Sequence, residues 1–213
     1  MFVYIRHVYV ICICIMDIVT VTNYKGGVGK TTTAIHLARY LSDKGTTILV
    51  DGDDNRSSLK WAQAGHLPFK VVDEKQAARA ASEGADYMVI DTAARPASDD
   101  LKTLAEGCDL LILPTKPDKL STEATLDTID ILTDSLYRIL ITMRKPFPNK
   151  DSQELREALS SADIPAFKTS IRDTIGVSKA ASEGVTLAEV SDSRVRRVWR
   201  DYENLGEEVE ALL

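Results

Sequence analysis

The sequence predicts an α/β fold, doubly wound around a mostly parallel sheet with helices on both faces, and three observations predict it. Short β-branched or apolar runs alternate with amphipathic stretches along the chain. Successive runs lie far enough apart for the helical crossover that parallel pairing requires. No linker rich in proline, glycine or serine interrupts the alternation, and no internal repeat divides it, so the domain is expected to be one unit.

Taken in order, Met1 to Ile15 is almost wholly apolar, broken by Arg6 and His7, and leads to a second methionine, Met16. It lacks the basic start and small-residue cleavage site of a signal peptide. Its longest apolar run, Val8 to Met16, is 9 residues, against the roughly 20 needed to cross a bilayer. An extra β-strand is one reading; the preferred one is a non-native or extended leader (residues 1–15) ahead of a domain of residues 16–213. Strands are expected at Ile18 to Thr22, Thr47 to Val50, Phe69 to Val72, Tyr87 to Ile90, Leu110 to Leu113 and Arg138 to Thr142. Helices are expected at Thr31 to Ser42, Ser57 to Ala64, Glu74 to Ser82, Ser98 to Glu106, Thr122 to Ser135 and Ser152 to Ser161. The acidic end, Asp201 to Leu213, reads as a solvated closing helix.

The chain has 213 residues, 26 Lys and Arg against 32 Asp and Glu, and a formal charge of −6. A generally basic nucleic-acid coat is therefore excluded, and any polyanion must meet a local patch. Cys12 and Cys14 lie in the leader, and Cys108 alone in the body is expected to be a small buried residue. No disulfide framework or paired-cysteine cluster site is available, which points to a reducing compartment. His7, His36 and His66 are scattered, so a histidine metal centre is not expected.

The densest chemistry follows the first strand, in Asn23-Tyr24-Lys25-Gly26-Gly27-Val28-Gly29-Lys30-Thr31-Thr32. Glycines let backbone N–H groups turn toward a phosphate chain, Lys30 can reach the terminal phosphates, and Thr31 offers a hydroxyl to Mg²⁺. A helix beginning at Lys30 adds its positive end. The general P-loop pattern has glycine where this chain has Tyr24, but a second lysine, Lys25, stands 5 residues before Lys30. Asp51, Asp53 and Asp91 end the second and fourth strands, where carboxylates can reach the Mg²⁺ shell or orient a water.

These residues resemble the ParA/MinD family of deviant Walker ATPases, in its small ParA type without an N-terminal DNA-binding domain, over Met16 to about Glu189. The resemblance implies a P-loop NTPase fold of the ParA kind, with ATP and Mg²⁺ as cofactors. It implies that Lys25 reaches across an ATP-sandwich homodimer, and that Lys25, Gly26, Gly27, Val28, Gly29, Lys30, Thr31 and Thr32 hold the phosphates. Asp51-Gly52-Asp53-Asp54-Asn55-Arg56-Ser57-Ser58-Leu59-Lys60-Trp61 matches the family's DxDPQxSxxxW stretch, with Asp54-Asn55 standing for Pro-Gln. Asp53 would then orient the attacking water, with Lys25, Lys30 and Asp53 as the catalytic set. Thr31, Asp51, Asp53 and Asp91 would surround the metal. Leu113 to Asp118 resembles the loop beside adenine, assigning Pro114, Thr115 and Pro117 to the base. Met143 stands near the place of an asparagine that often follows the sixth strand.

Arg172, Lys179, Arg194, Arg196, Arg197 and Arg200 concentrate positive charge late in the chain and are the candidates for nonspecific DNA binding. A solvated face paired with Glu203, Glu207 and Glu208 is the competing reading. The acidic tail argues against stable membrane association of the MinD kind, and Lys25 argues against a small-molecule ligase. The expected function is slow, partner-stimulated ATP hydrolysis that positions or segregates a cargo in the cytoplasm, on the nucleoid. Plasmid or chromosome partition with a ParB-type adaptor is the first reading of the cargo. Carboxysome distribution with an McdB-type adaptor is the second.

Overall fold

The computed structural model describes residues 16–94, 98–132 and 135–213; the expected leader lies outside them. Seven strands form one parallel sheet: β1 (Asp17–Val21), β2 (Thr47–Gly52), β3 (Lys70–Asp73), β4 (Tyr87–Thr92), β5 (Leu110–Thr115), β6 (Tyr137–Arg144) and β7 (Ala166–Arg172). Their order across the sheet is β3-β2-β4-β1-β5-β6-β7. The helices are α1 (Lys30–Ser42), α2 (Ser57–Gln63), α3 (Glu74–Ser82), α4 (Ser98–Glu106), α5 (Lys119–Ile129), α6 (Lys150–Ser161), α7 (Gly176–Glu183) and α8 (Ser193–Glu210).

This order puts the chemistry at one edge. From β1 the chain moves to one side for β2 and β3, then crosses β1 and fills the other side with β5 to β7. The crevice at the carboxyl end of β1 is therefore the place where such sheets bind ligands. Register adds the carboxylates: Val21 and Asp51 both pair with Asp91. The turn after β1 and the ends of β2 and β4 thus lie side by side.

Helix α1, which starts at that turn, is enclosed on nearly every side; Ala34, Ile35, Leu37, Ala38 and Leu41 are fully buried. His36, also buried, sits within its hydrogen-bonding surroundings in one tautomer. Its Nε2 accepts the Leu187 N–H at 3.0 Å, so Nδ1 carries the proton and donates to the Thr32 carbonyl at 2.6 Å. Burial pushes its pKa down to about 4, and its ring stacks on Tyr202 with centroids 4.6 Å apart. Trp61 meets the same ring edge-on at 5.8 Å.

Four expectations are corrected. The closing helix begins at Ser193, where Asp192 caps it by accepting the Arg194 N–H, and it is a core helix rather than a solvated one. Val195, Val198, Tyr202, Leu205 and Val209 follow the 3-4 spacing of a buried stripe. At Gly206 a Cβ would lie 2.3 Å from the Tyr40 ring, so only glycine permits this approach of α8 to α1. Strand β7 and helix α7 were not expected, because β7 is a polar edge strand with only Phe167 and Ile171 fully inside. Glu208 of α8 occupies that edge by accepting the Lys168 and Thr169 N–H groups, both at 2.8 Å. Helix α5 begins at Lys119, earlier than Thr122, because Asp118 caps it through the Ser121 N–H. Cys108 is half-buried rather than buried. No helix among the described residues is long and apolar enough to cross a membrane.

Candidate functional site

The turn after β1 is built for close approach of an anion. Gly27 and Gly29 have φ of 69° and 93°, in the left-handed region that favours glycine. A Cβ at Gly29 would touch Thr142, at 3.8 Å. Thr142 holds the turn from below, donating its hydroxyl to the Val28 carbonyl at 2.8 Å. Gly29 is also the N-cap residue of α1 and brings no capping side chain, so the N–H groups of the first helical turn stay available.

A cavity of about 310 Å³ opens above this turn, lined by Gly26, Gly27, Gly29, Lys30, Thr31, Thr32, Asp53, Asn55, Ser57, Ala94 and Met143. Lys30 is nearly buried, and its Nζ donates to the Lys25 carbonyl at 3.3 Å. Burial pushes its pKa down, while Asp91 and Asp53 push it up. Asp53 projects into the cavity and is oriented by its own loop. Asn55 donates its backbone N–H and its Nδ2 to Oδ1, both at 3.2 Å, and Ser57 donates its hydroxyl to Oδ2 at 3.3 Å. The asparagine that stands where the family has glutamine thus positions the aspartate.

The two strand-end carboxylates differ. Asp51 is spent on the backbone: Oδ1 accepts the Asp53 N–H at 3.0 Å and Oδ2 the Leu59 N–H at 2.8 Å. It shapes the loop that carries Asp53. Asp91 accepts the Ser58 hydroxyl at 2.8 Å on Oδ2, while Oδ1 is buried without a partner. Burial pushes the Asp91 carboxyl up to about 6, with Asp51 adding to the rise and Ser58, Thr31 and Lys30 opposing it.

The residues present fit a Mg²⁺-bound nucleoside triphosphate. The glycine cradle, the Thr31 hydroxyl and the orphaned Asp91 oxygen supply what phosphates and a hydrated cation need. Among the described residues no three His, Cys, Asp or Glu side chains converge as a metal cage, in keeping with Mg²⁺, which keeps waters and leans on substrate phosphates. When bound, the ion would neutralise charge on the phosphates. Thr31 and Asp91 are the residues that would hold it. Asp91→Asn is expected to remove the magnesium dependence of nucleotide binding. It is also expected to stabilise the ligand-free protein at pH 7 to 8. The native carboxyl titrates above its unfolded value, so its contribution is full below the ordinary carboxylate range and is lost as pH rises through about 6. The gain should approach roughly 3 kcal/mol and vanish near pH 4. Thermal unfolding of both proteins across that range checks it.

A second cavity of about 240 Å³ adjoins the first, sharing Gly29, Thr32 and Met143 and adding Thr142, Ile171, Arg172, Asp173, Thr174, Val177, Ser178, Val198 and Tyr202. Met143 lies between the two with φ of 51°, an unusual conformation for a side-chain-bearing residue, where the pairing of β6 with β7 shifts register. The second cavity therefore lies toward the β7–α7 loop. Pro114, Thr115 and Pro117 line neither cavity. The Pro114 carbonyl accepts from Asn23, and the Thr115 carbonyl lies 3.1 Å from the Thr142 hydroxyl, sharing its one proton with the Val28 carbonyl, so both frame the turn from behind. Sequence reasoning also gave no role to Asn23, Ser58, Thr142 or the β7–α7 loop of Asp173, Thr174 and Ile175, whose neighbours in the site lie far away in sequence.

Of the six basic candidates, Arg194, Arg196, Arg197 and Arg200 are exposed on α8, and among the described residues none is ion-paired. Arg196, Arg197 and Arg200 fall within about 100° of one another, away from the buried stripe. Arg172 is set apart: its guanidinium pairs with Asp201 at 3.0 Å and donates to the Arg197 carbonyl at 2.8 Å. Lys179 lies within 3.9 Å of Glu183 on α7. Glu208 is committed to the β7 edge, so it does not screen the arginines.

Residues 19–187 match the family described as the CobQ/CobB/MinD/ParA nucleotide binding domain. The chain is 32% identical over 202 residues to the maintenance of carboxysome distribution protein A of Gloeobacter kilaueensis, covering 91% of this chain and 94% of that one. It is 30% identical over 220 residues to protein VirC1 of Rhizobium radiobacter, with 91% and 94% covered. In fold it is similar to a plasmid partition protein from Borrelia burgdorferi bound to AMPPNP, with a TM-score of 0.72, 19% identity and 93% of this chain covered against 100% of that one. With its phosphate-binding turn, its seven-stranded parallel sheet and this similarity along nearly its full length, the chain belongs to the CobQ/CobB/MinD/ParA nucleotide-binding family, as a ParA/MinD-type ATPase.

Proposed function

We propose that this protein is an ATP-driven positioning switch. Two copies close around Mg²⁺-ATP with Lys25 of each reaching the other's nucleotide. The closed dimer binds DNA without regard to sequence, and an adaptor attached to the cargo stimulates hydrolysis and release. Lys30, Thr31 and the glycine turn hold the phosphates, Asp53 orients the water, and the base lies toward the second cavity beside Met143. The domain proper is residues 16–213, and its place of action is the nucleoid.

One observation carries this reading. Helix α8 walls the cavity next to the phosphate turn through Val198 and Tyr202, and the same helix presents Arg194, Arg196, Arg197 and Arg200 to solvent without ion pairs among the described residues. Nucleotide occupancy and a polyanion-binding surface therefore meet on one rigid element. Pairing two such surfaces in a dimer roughly doubles the phosphate contacts and steepens the salt dependence.

For the cargo, the similarity over 91% of the chain to a carboxysome distribution protein favours a protein assembly with an McdB-type adaptor. Partition of a plasmid or chromosome with a ParB-type adaptor is the second reading, supported by the similarity of fold to the Borrelia burgdorferi partition protein. The test is retention on DNA at low salt with ATP, with ADP and without nucleotide. Retention is expected with ATP alone and should fall steeply with added salt. Reversing charge at Arg196, Arg197 and Arg200 together should abolish it while leaving ATP affinity within about threefold, because these side chains lie outside both cavities. Retention that ignores the nucleotide, or survives the charge reversal, would sink the reading.

A further inference from the structure

Asn23 is fully buried, and each polar group of its side chain is directed. Its Nδ2 donates to the Pro114 carbonyl at 2.8 Å and to the Thr125 hydroxyl oxygen at 2.9 Å, and its Oδ1 accepts the Lys25 N–H at 2.9 Å. Thr125 donates in turn to the Ser121 carbonyl at 2.8 Å, and Ser121 is held by Asp118 at the start of α5. The Lys25 carbonyl accepts from Lys30 Nζ at 3.3 Å. The backbone of Lys25 is thus gripped on both sides of its Cα, from one side by a frame made of β5 and α5. Lys25 does not line either cavity, and among the described residues its ammonium forms no ion pair. Its backbone is fixed, and its charge is close enough to Asp118 to help hold that carboxyl below its usual range without an ion pair among the described residues.

We propose that Asn23 is a positioning residue for Lys25: it ties the lysine's backbone to the β5–α5 frame so that the ammonium is presented at a set place on the surface of the site. The inference rests on the reading of Lys25 as the residue that reaches the partner's nucleotide. Buried amides of this kind are costly to leave half-satisfied, so each bond lost from Asn23 loosens the grip on Lys25. Asn23 lines neither cavity, so its effect on turnover is expected to pass through Lys25.

A double-mutant cycle on the full chain tests this, measuring steady-state ATP turnover and ATP affinity for Asn23→Ala, Lys25→Ala and the double variant, with Thr125→Val as a milder probe. Asn23→Ala is expected to lower turnover about tenfold with ATP affinity changed by less than about threefold, and the double variant to turn over no more slowly than Lys25→Ala. Thr125→Val, which removes only one of the bonds to Asn23, should lower turnover in the same direction and by less. Losses of turnover that multiply in the double variant, or affinity falling in step with turnover, would overturn the proposal and leave Asn23 a structural residue. If Lys25→Ala itself left turnover unchanged, the reading beneath the proposal would fail. If Lys25→Ala lost turnover while neither Asn23→Ala nor Thr125→Val did, the proposal alone would fail.

Discussion

Replacing Lys30 by methionine is expected to weaken ATP binding by about 100-fold or more, because charge-assisted bonds to two phosphates disappear. The fold should survive. The methionine stem fills the same space, and the native ammonium gains little from its position: burial pushes its pKa down, and its one hydrogen bond is to the Lys25 carbonyl at 3.3 Å. Equilibrium binding of a fluorescent ATP analogue and chemical unfolding of the ligand-free protein separate the two effects. Retained affinity in the variant would remove Lys30 from the phosphate site. A collapse of stability alongside affinity would show that its charge holds Asp53 and Asp91 in place rather than the nucleotide.

The second large effect is expected at Asp53. Asp53→Ala should bind ATP within a few-fold of the parent and turn it over at least about 100-fold more slowly, since positioning the nucleophile is most of what a protein contributes to phosphoryl transfer. The loop beneath Asp53 has its own support: Asp51 holds the Asp53 and Leu59 N–H groups, and Arg56 donates to the Asp51 carbonyl at 2.9 Å. Loss of the Asp53 carboxylate frees Asn55 and Ser57 without unfastening that base. Single-turnover hydrolysis against equilibrium binding gives the comparison. Equal loss in both would make Asp53 a structural residue.

Much of this site is written in adjacent residues, and those parts are legible without coordinates. A strand followed by Lys25 to Thr32 fixes the phosphate turn, and aspartates closing two later strands of a parallel sheet must arrive at the same edge. What such reasoning cannot separate is two carboxylates with different partners. Asp51 and Asp91 look alike in sequence, and only the register of β2 beside β4 and the start of α2 turn one toward backbone N–H groups and leave the other with a free oxygen. The second cavity is hidden in the sequence for a related reason. The Pro114 to Pro117 run is conspicuous locally, whereas the second cavity is assembled from the ends of β6 and β7 and the inner face of α8, segments distant in sequence that pairing brings together. Helix α8 is hard to read for another reason: charges from Asp201 onward dominate the tail locally, and the buried stripe from Val195 to Val209 emerges only at helical spacing. Arg172 shows the same limit: it belongs to the late basic cluster in sequence, yet it is tied to Asp201 at a cavity wall.

These residues act as a switch only if nucleotide state changes how many copies associate. The most direct measurement is the mass in solution of the Asp53→Ala protein, by sedimentation or light scattering, with Mg²⁺-ATP, with Mg²⁺-ADP and without nucleotide. A dimer with ATP and a monomer in the other two conditions is the predicted result, reverting to monomer in every condition when Lys25→Ala is added. A mass that stays the same in all three conditions would contradict the account.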